Sequence, residues 1–339
     1  MGRNERMQLI RAIEEERNSR MLVYLAGDRR GLETKIAADI FPFILNHLSR
    51  MDRQETIDLY IYSTGGVTMA GYALVNLIRE FCNTLNVIIP FKALSCATLI
   101  ALGADSLIMT EMGQLSPIDP SVNSPLGPRA PAPGPPGASR VIPVNVEDVV
   151  SYLDLARKEL GIADEESLTA VFDHLAEAVH PLTLGAVNRV REQIAFLAKT
   201  LLSYHLDDQE QIEKIVNIIT TGRFSHDYLI GRKEAKETLG LNIIDVPTDL
   251  AEKIFKLYRE YDQVIELSVP YHPETVLTTT DVAVGTFNRA IIESIDMTHV
   301  FRTIKEVTRV EVGPPQIPVP TVGYQERIIS EKWVEDNTI

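Results

Sequence analysis

Short apolar runs alternate with longer stretches of helical spacing along the first third of the chain. The run "RMLVYLAG", residues 20–27, is β-rich, and in "GLETKIAADIFPFILNHLSR", residues 31–50, apolar positions recur with a helical period. A second strand, "TIDLYIYSTGG", stops on Gly65 and Gly66 and is followed by the helical "VTMAGYALVNLIREF". A third, "TLNVIIPFKAL", leads into a short apolar helix that opens at Ser95, and "DSLIMTEMGQLS" supplies a fourth. Strands alternating with helices of about 10–15 residues predict βαβ units and a mainly parallel α/β sheet. In such sheets ligands sit where strands end and helices begin.

The pattern changes three times further on. Residues 123–143, "NSPLGPRAPAPGPPGASRVIP", hold seven prolines and three glycines, and they read as an exposed loop that continues neither helix nor strand. A helical region follows over residues 146–204, and then "IEKIVNIITTGRFSHDYLIGRKEAKETLGLNIID", which reads helix, loop, helix, strand. From about residue 251 come a helix, the isolated "PYHPETVLTTTDVAVGTF", a further helix and a tail with "GPPQIPVPTVG". The expected organisation is an N-terminal helix (1–19), a main domain (20–250) and a C-terminal extension (251–339) used for packing or oligomerisation.

Composition narrows the partners. The chain has 339 residues, 47 acidic against 33 basic, a formal net charge of −14, and no basic stripe interleaved with aromatics, so no nucleic-acid partner is expected. Only Cys82 and Cys96 occur, in no CxxC or Cys/His cluster, which argues against a disulfide framework or structural zinc and for a reducing, cytoplasmic setting. The first twenty residues lack the apolar core of a signal peptide. The most apolar window, 87–104, is broken by Pro90, Lys92 and Ser95, so no membrane span is expected. No motif for a cofactor or metal stands out.

Two junctions can carry chemistry. At Gly65 and Gly66 the backbone can turn tightly and offer N–H groups to a developing oxyanion, the plainer alternative being an ordinary strand-to-helix turn. Ser95 stands between a strand and a helix, where a nucleophile would be presented; serine is also a favoured helix cap.

Taken together, "YIYSTGGVTMAGYALVNLI", "IIPFKALSCATLIALGADSLIMTEMGQLSPIDP" and "SHDYLIGRKEAKETLGL" resemble the three blocks of the serine dehydrogenase proteinase family. That family is a branch of the Clp-protease/crotonase superfamily related to signal peptide peptidase A. The resemblance covers roughly residues 20–245 and implies a fold of repeated ββα units. It places Ser95 at the nucleophile position, Gly65 and Gly66 at the oxyanion turn, and the Cys96 amide as second oxyanion donor. The Clp triad is not carried over in place: where its histidine would follow the serine, the chain reads "SPIDPS", with Asp119 and no imidazole. A Ser–Lys dyad has only Lys158 to draw on between Ser95 and Lys199, in the charged stretch "ARKELGIADEE" that reads as a solvated face. What remains is His226 in "SHD" as base with Asp119 orienting it, the alternatives being a helix cap and a loop-shaping hydrogen bond. The other histidines read as surface or satisfied core residues, and Cys96 as a small buried residue.

The expectation is therefore a serine peptidase acting on peptide or protein substrates, without cofactor, and assembled as a trimer or hexamer as relatives of this fold usually are. A catalytically weak scaffold that keeps the fold is the alternative. Thioester chemistry on coenzyme A lacks any adenine or pyrophosphate motif.

Overall fold

Every residue from Met21 to Ala26 is buried, as expected of a strand covered on both faces, and this strand lies inside a seven-stranded sheet. The computed structural model describes residues 2–119, 121–132, 137–220, 228–277, 280–312 and 321–339. The chain divides into two compact units, one of residues 1–115 and 231–339, the other of residues 116–230.

In the first unit α1 (Arg3–Arg17) precedes β1 (Arg20–Ala26), and α2 (Phe41–Met51), β2 (Gln54–Tyr62), α3 (Thr68–Arg79) and β3 (Cys82–Ile89) follow. The two-residue β4 (Lys92–Ala93) leads into α4 (Cys96–Leu102), then β5 (Ser106–Met109) and a short β6 (Gln114–Leu115). The second unit holds β7 (Ser121–Val122), β8 (Arg129–Pro131), β9 (Ser139–Val141) and β10 (Val144–Asn145). Its helices are α5 (Val146–Asp154), α6 (Glu165–Ala178), α7 (Pro181–Leu202) and α8 (Gln209–Thr220). After β11 (Ile230–Gly231), the first unit resumes with α9 (Arg232–Glu237), α10 (Thr248–Ile265), β12 (Val282–Glu293), β13 (Thr298–Val312) and β14 (Thr321–Glu335).

The sheet runs β14-β13-β12-β1-β2-β3-β5. Its β1, β2, β3 and β5 are parallel, so the α/β architecture with a parallel sheet expected from the alternating pattern is borne out. Val23, Tyr60, Ile88 and Ile108 stand side by side in register across those four strands. Met7, Ile10 and Ile13 of α1 and Ile254, Leu257 and Tyr261 of α10 pack against this row in one buried cluster. Each such side chain contributes about 1.5–3 kcal/mol by leaving water.

Two sequence expectations are corrected. The proline-rich residues 123–143 do enter strands: Arg129 pairs with Val141 and Pro131 with Ser139 in a short antiparallel ladder. Two strands alone each keep an outer edge on which Pro131, lacking an N–H, leaves no ladder bond unmade. The further helix expected late in the chain is instead the hairpin of β12 and β13, with Ala290 opposite Phe301 and Ile292 opposite His299. Its apolar residues satisfied a helical period locally, but pairing of β12 with β1, Val23 opposite Glu293, decides for strand. Residues 251–339 thus supply a helix and three strands of the main sheet. Arg6 of α1 reaches β12, giving two 2.8 Å hydrogen bonds to the Glu293 carboxylate, both residues being fully buried.

Candidate active site

Ser95 joins β4 to α4 with φ 51° and ψ −114°, a backbone region that L-residues rarely occupy. Such a conformation costs about 1–3 kcal/mol and persists only when its surroundings over-determine it. Here they do. The Leu94 N–H donates to Ser63 O at 3.0 Å, and Ser63 N–H to Lys92 O at 2.9 Å, locking β4 against the end of β2. Beyond the serine, Ala97 N–H donates to Leu94 O at 2.9 Å and the Thr98 hydroxyl to Ala93 O at 2.8 Å. The Ser95 side chain makes no capping hydrogen bond to α4, so the cap alternative fails, and the residue is only half-buried.

Gly65 is the residue that lies against it. With φ 119° it requires glycine, and a Cβ there would stand 2.9 Å from Ser95 Cβ and 3.2 Å from Ser95 Oγ. Ser63, two residues earlier, fixes this turn: its hydroxyl accepts from Gly65 N–H at 3.0 Å and donates to Gly65 O at 3.2 Å.

Gly66 is demanded for a different reason. Its backbone lies against Ile36, where an added Cβ would come within 2.2 Å of the carbonyl oxygen. Ile36 N–H donates to Gly65 O at 3.0 Å and Val67 N–H to Ile36 O at 2.8 Å. Ile36 thus bonds the residues on either side of Gly66 and leaves the N–H and C=O of Gly66 itself unused by the bridge.

The Cys96 amide is the first of α4, where no intrahelical acceptor exists. Among the described residues neither the Gly66 nor the Cys96 amide donates a hydrogen bond within the chain. The Cys96 thiol is buried, donates to Val67 O at 3.2 Å, and is pushed up to about 12 by that burial, so it is no nucleophile near neutral pH. It fits against α3 because Gly71 lacks a Cβ, which would stand 2.6 Å from the sulfur.

The structure therefore brings Ser95, Gly65, Gly66 and Cys96 together. Asp119 belongs to the second unit, partly buried on a loop where Ile118 N–H donates to Ile219 O at 2.8 Å. His226 lies outside the described residues. The lysines on either side of Ser95 in the sequence are each paired with a carboxylate. Lys92 holds Asp28 at 2.7 Å, whose other oxygen accepts from the Tyr62 hydroxyl at 2.7 Å. Lys158 is exposed and pairs with Asp154 at 2.6 Å. His174 is exposed beside Glu177, while His47 and His299 are buried together. Sequence reading missed Ser63 and Ile36. Ser63 was visible as the polar residue preceding the glycines, but Ile36 lies thirty positions from Gly66 and carried no signal.

No group of three or more metal-ligating side chains occurs among the described residues. No described helix is long and apolar enough to cross a membrane.

Residues 2–130 match the family model of ClpP-like SDH-type serine proteinases. Two uncharacterized proteins of Methanocaldococcus jannaschii are similar to the chain. One is 27% identical over 268 residues, 77% of this chain and 79% of its own. The other is 25% identical over 282 residues, 79% of this chain and 82% of its own. Among solved structures, a membrane-bound stomatin-specific protease covers 70% of this chain and 85% of its own at 14% identity and a TM-score of 0.37. The ClpP protease catalytic domain from Plasmodium falciparum covers 71% and 91% at 13% identity and a TM-score of 0.33.

Proposed function

We propose, from the premise that residues 2–130 carry the pattern of the ClpP-like SDH-type serine proteinases, that the chain hydrolyses peptide bonds through an acyl-enzyme on Ser95. The observation that carries this reading is the strained, half-buried Ser95 beside Gly65, with two undonated amides next to it. Ser95 Oγ attacks the substrate carbonyl carbon and its proton passes to the base. The carbonyl electron pair moves to oxygen, where the Gly66 and Cys96 amides receive the negative charge. Collapse of the tetrahedral species breaks the C–N bond, and the leaving amine takes the proton back. Water then releases the acyl group by the same route.

His226 is proposed as the base and Asp119 as the residue that orients it, both carried over from the sequence reading. A peptide is favoured over a compact amide because the Gly66 carbonyl, which the bridge to Ile36 leaves unused, can accept from an extended backbone while the Gly66 N–H serves the oxyanion. The exposed Val67 and Met69 beside Gly66 offer apolar surface to peptide side chains. Assembly as a trimer or hexamer is part of the same proposal, and light scattering at micromolar concentration measures it.

A fluorophosphonate probe reacts with activated serines whatever their substrate. Stoichiometric labelling mapped to Ser95 is the expected result. Absence of labelling in the intact oligomer overturns the proposal in favour of a scaffold that retains the fold.

A further inference from the structure

In the second unit, α6 is a helix of 14 residues in which no residue is buried. Leu168, Val171, Phe172 and Leu175 follow the i, i+3, i+4, i+7 spacing of an apolar stripe, and Phe172 keeps 48% of its surface exposed. A helix this short is marginal in water without cover for its apolar face. Two cavities flank it. One, of about 400 Å³, is lined by Val144, Val149, Tyr152, Leu175 and Val179. The other, of about 440 Å³, is lined by Val149, Leu153, Phe172, Leu184 and Val187. Val149 lines both, so the two adjoin along α5 as one trough, mainly apolar, with Asp148 and His174 at the first cavity and Asn188 and Arg191 at the second.

Charge states what fits there. The three helices that wall the trough, within residues 146–202, hold ten acidic side chains against Arg157, Lys158, Arg189, Arg191 and Lys199, and the acidic ones crowd α5 and α6 while Arg191 of α7 lines the second cavity. Lys158 is already paired with Asp154. Asp164, Glu165 and Glu166 crowd the first turn of α6, and Asp173 and Glu177 lie further along it. An isologous second copy would set one strongly acidic face against another, and an anionic lipid surface would meet the same repulsion.

We propose that this trough is the docking site for a basic amphipathic helix of a partner protein, its apolar side chains filling the two cavities and its lysines or arginines meeting the acidic rim. Helix-in-groove recognition has this form: apolar anchors at helical spacing with charge at the edges. The proposal is independent of any chemistry at Ser95.

The test uses the full-length protein and a fluorescein-labelled leucine/lysine amphipathic peptide of about five helical turns, with the leucine/glutamate peptide of the same pattern as its counterpart. Anisotropy is expected to report binding of the lysine peptide and none of the glutamate peptide. Phe172→Asp, at an exposed position, is expected to weaken binding by about tenfold or more. Because that substitution adds negative charge, general attraction to an acidic protein would be kept or tightened by it, and that result overturns the proposal. Glu165→Lys with Glu166→Lys is expected to weaken binding as well, and unchanged affinity there counts equally against it. Co-sedimentation of the protein with phosphatidylcholine or phosphatidylserine vesicles, abolished by Phe172→Asp, would assign the trough to lipid. Loss of the native oligomer on Phe172→Asp would assign it to a second copy.

Discussion

The Cβ that Gly65 lacks would stand 3.2 Å from the hydroxyl oxygen of Ser95. The space beside the serine is thus kept open by the one residue type that can also adopt φ 119° there.

Gly65→Ala and Gly66→Ala should therefore separate. At Gly65 the added methyl meets Ser95 Cβ at 2.9 Å and Leu94 O at 3.2 Å, looser contacts than those at Gly66, so the variant is expected to fold with a lowered melting temperature and to lose reaction with a fluorophosphonate. At Gly66 it meets Ile36 backbone at 2.2 and 2.4 Å, which cannot yield without breaking the pairing with Val67. Thermal melts followed by circular dichroism should place Gly66→Ala well below Gly65→Ala, and the reverse order would contradict the geometry.

Strain at Ser95 gives a stability test that needs no substrate. Ser95→Ala and Ser95→Gly both remove the hydroxyl, but only glycine relieves the positive φ. Ser95→Gly is expected to be more stable than Ser95→Ala by about 1 kcal/mol in urea denaturation, with both inactive. Equal stabilities would show that the backbone there is relaxed.

For the proposed base, His226→Ala should reduce turnover of a cleavable peptide by about 100-fold or more. Asp119→Asn should lose less, because it mis-sets the imidazole without removing it. A wild-type rate for His226→Ala would exclude it as base.

The buried pair His47 and His299 makes stability pH-dependent. His47 Nδ1 lies 2.8 Å from the Ser294 hydroxyl and its Nε2 lies 3.1 Å from His299 Nδ1. Burial, with His299 and Arg50 adding to it, pushes His47 down to about 3, and burial also lowers His299. Both are depressed, so the unfolded chain binds protons that the folded chain refuses. The stabilisation is complete above an ordinary histidine value of about 6.5 and is lost as pH falls from there towards 3. For His47 alone the loss by pH 5 is about 2 kcal/mol. Urea denaturation at pH 7 and pH 5 should show a smaller difference in His47→Gln than in the wild type.

Arg6 and Glu293 tie α1 to β12, and the Tyr261 hydroxyl also donates to Glu293, at 2.6 Å. Arg6→Met leaves the carboxylate buried without its cation and is expected to cost about 3–5 kcal/mol. Adding Glu293→Leu should recover a large part of that loss. A double variant no more stable than Arg6→Met would show that the ion pair is not what holds α1 in place.

What the sequence determined is local. Alternating periods of apolar residues were enough for β1, β2, β3 and β5, because strands buried on both faces read as continuous apolar runs, and for α3 and α4; of the helical stretch read over residues 31–50 only Phe41–Met51 is α-helix, since Ile36 is drawn into a bridge with Gly66. The serine between a strand and a helix, and the paired glycines after "STGG", were also legible. Whether Ser95 was a cap or something else was not, since a cap and a strained junction have the same residue in the same place. The positive φ at Ser95 and the approach of Gly65 arise only once β2 and β4 lie side by side. Residues 282–312 show the same limit: their apolar spacing serves helix and strand alike, and hydrogen bonding of β12 to β1, more than 250 residues earlier, chose the strand. Pairing across such separations depends on which edge of the sheet is left open, a property of the assembled chain that no window of sequence contains.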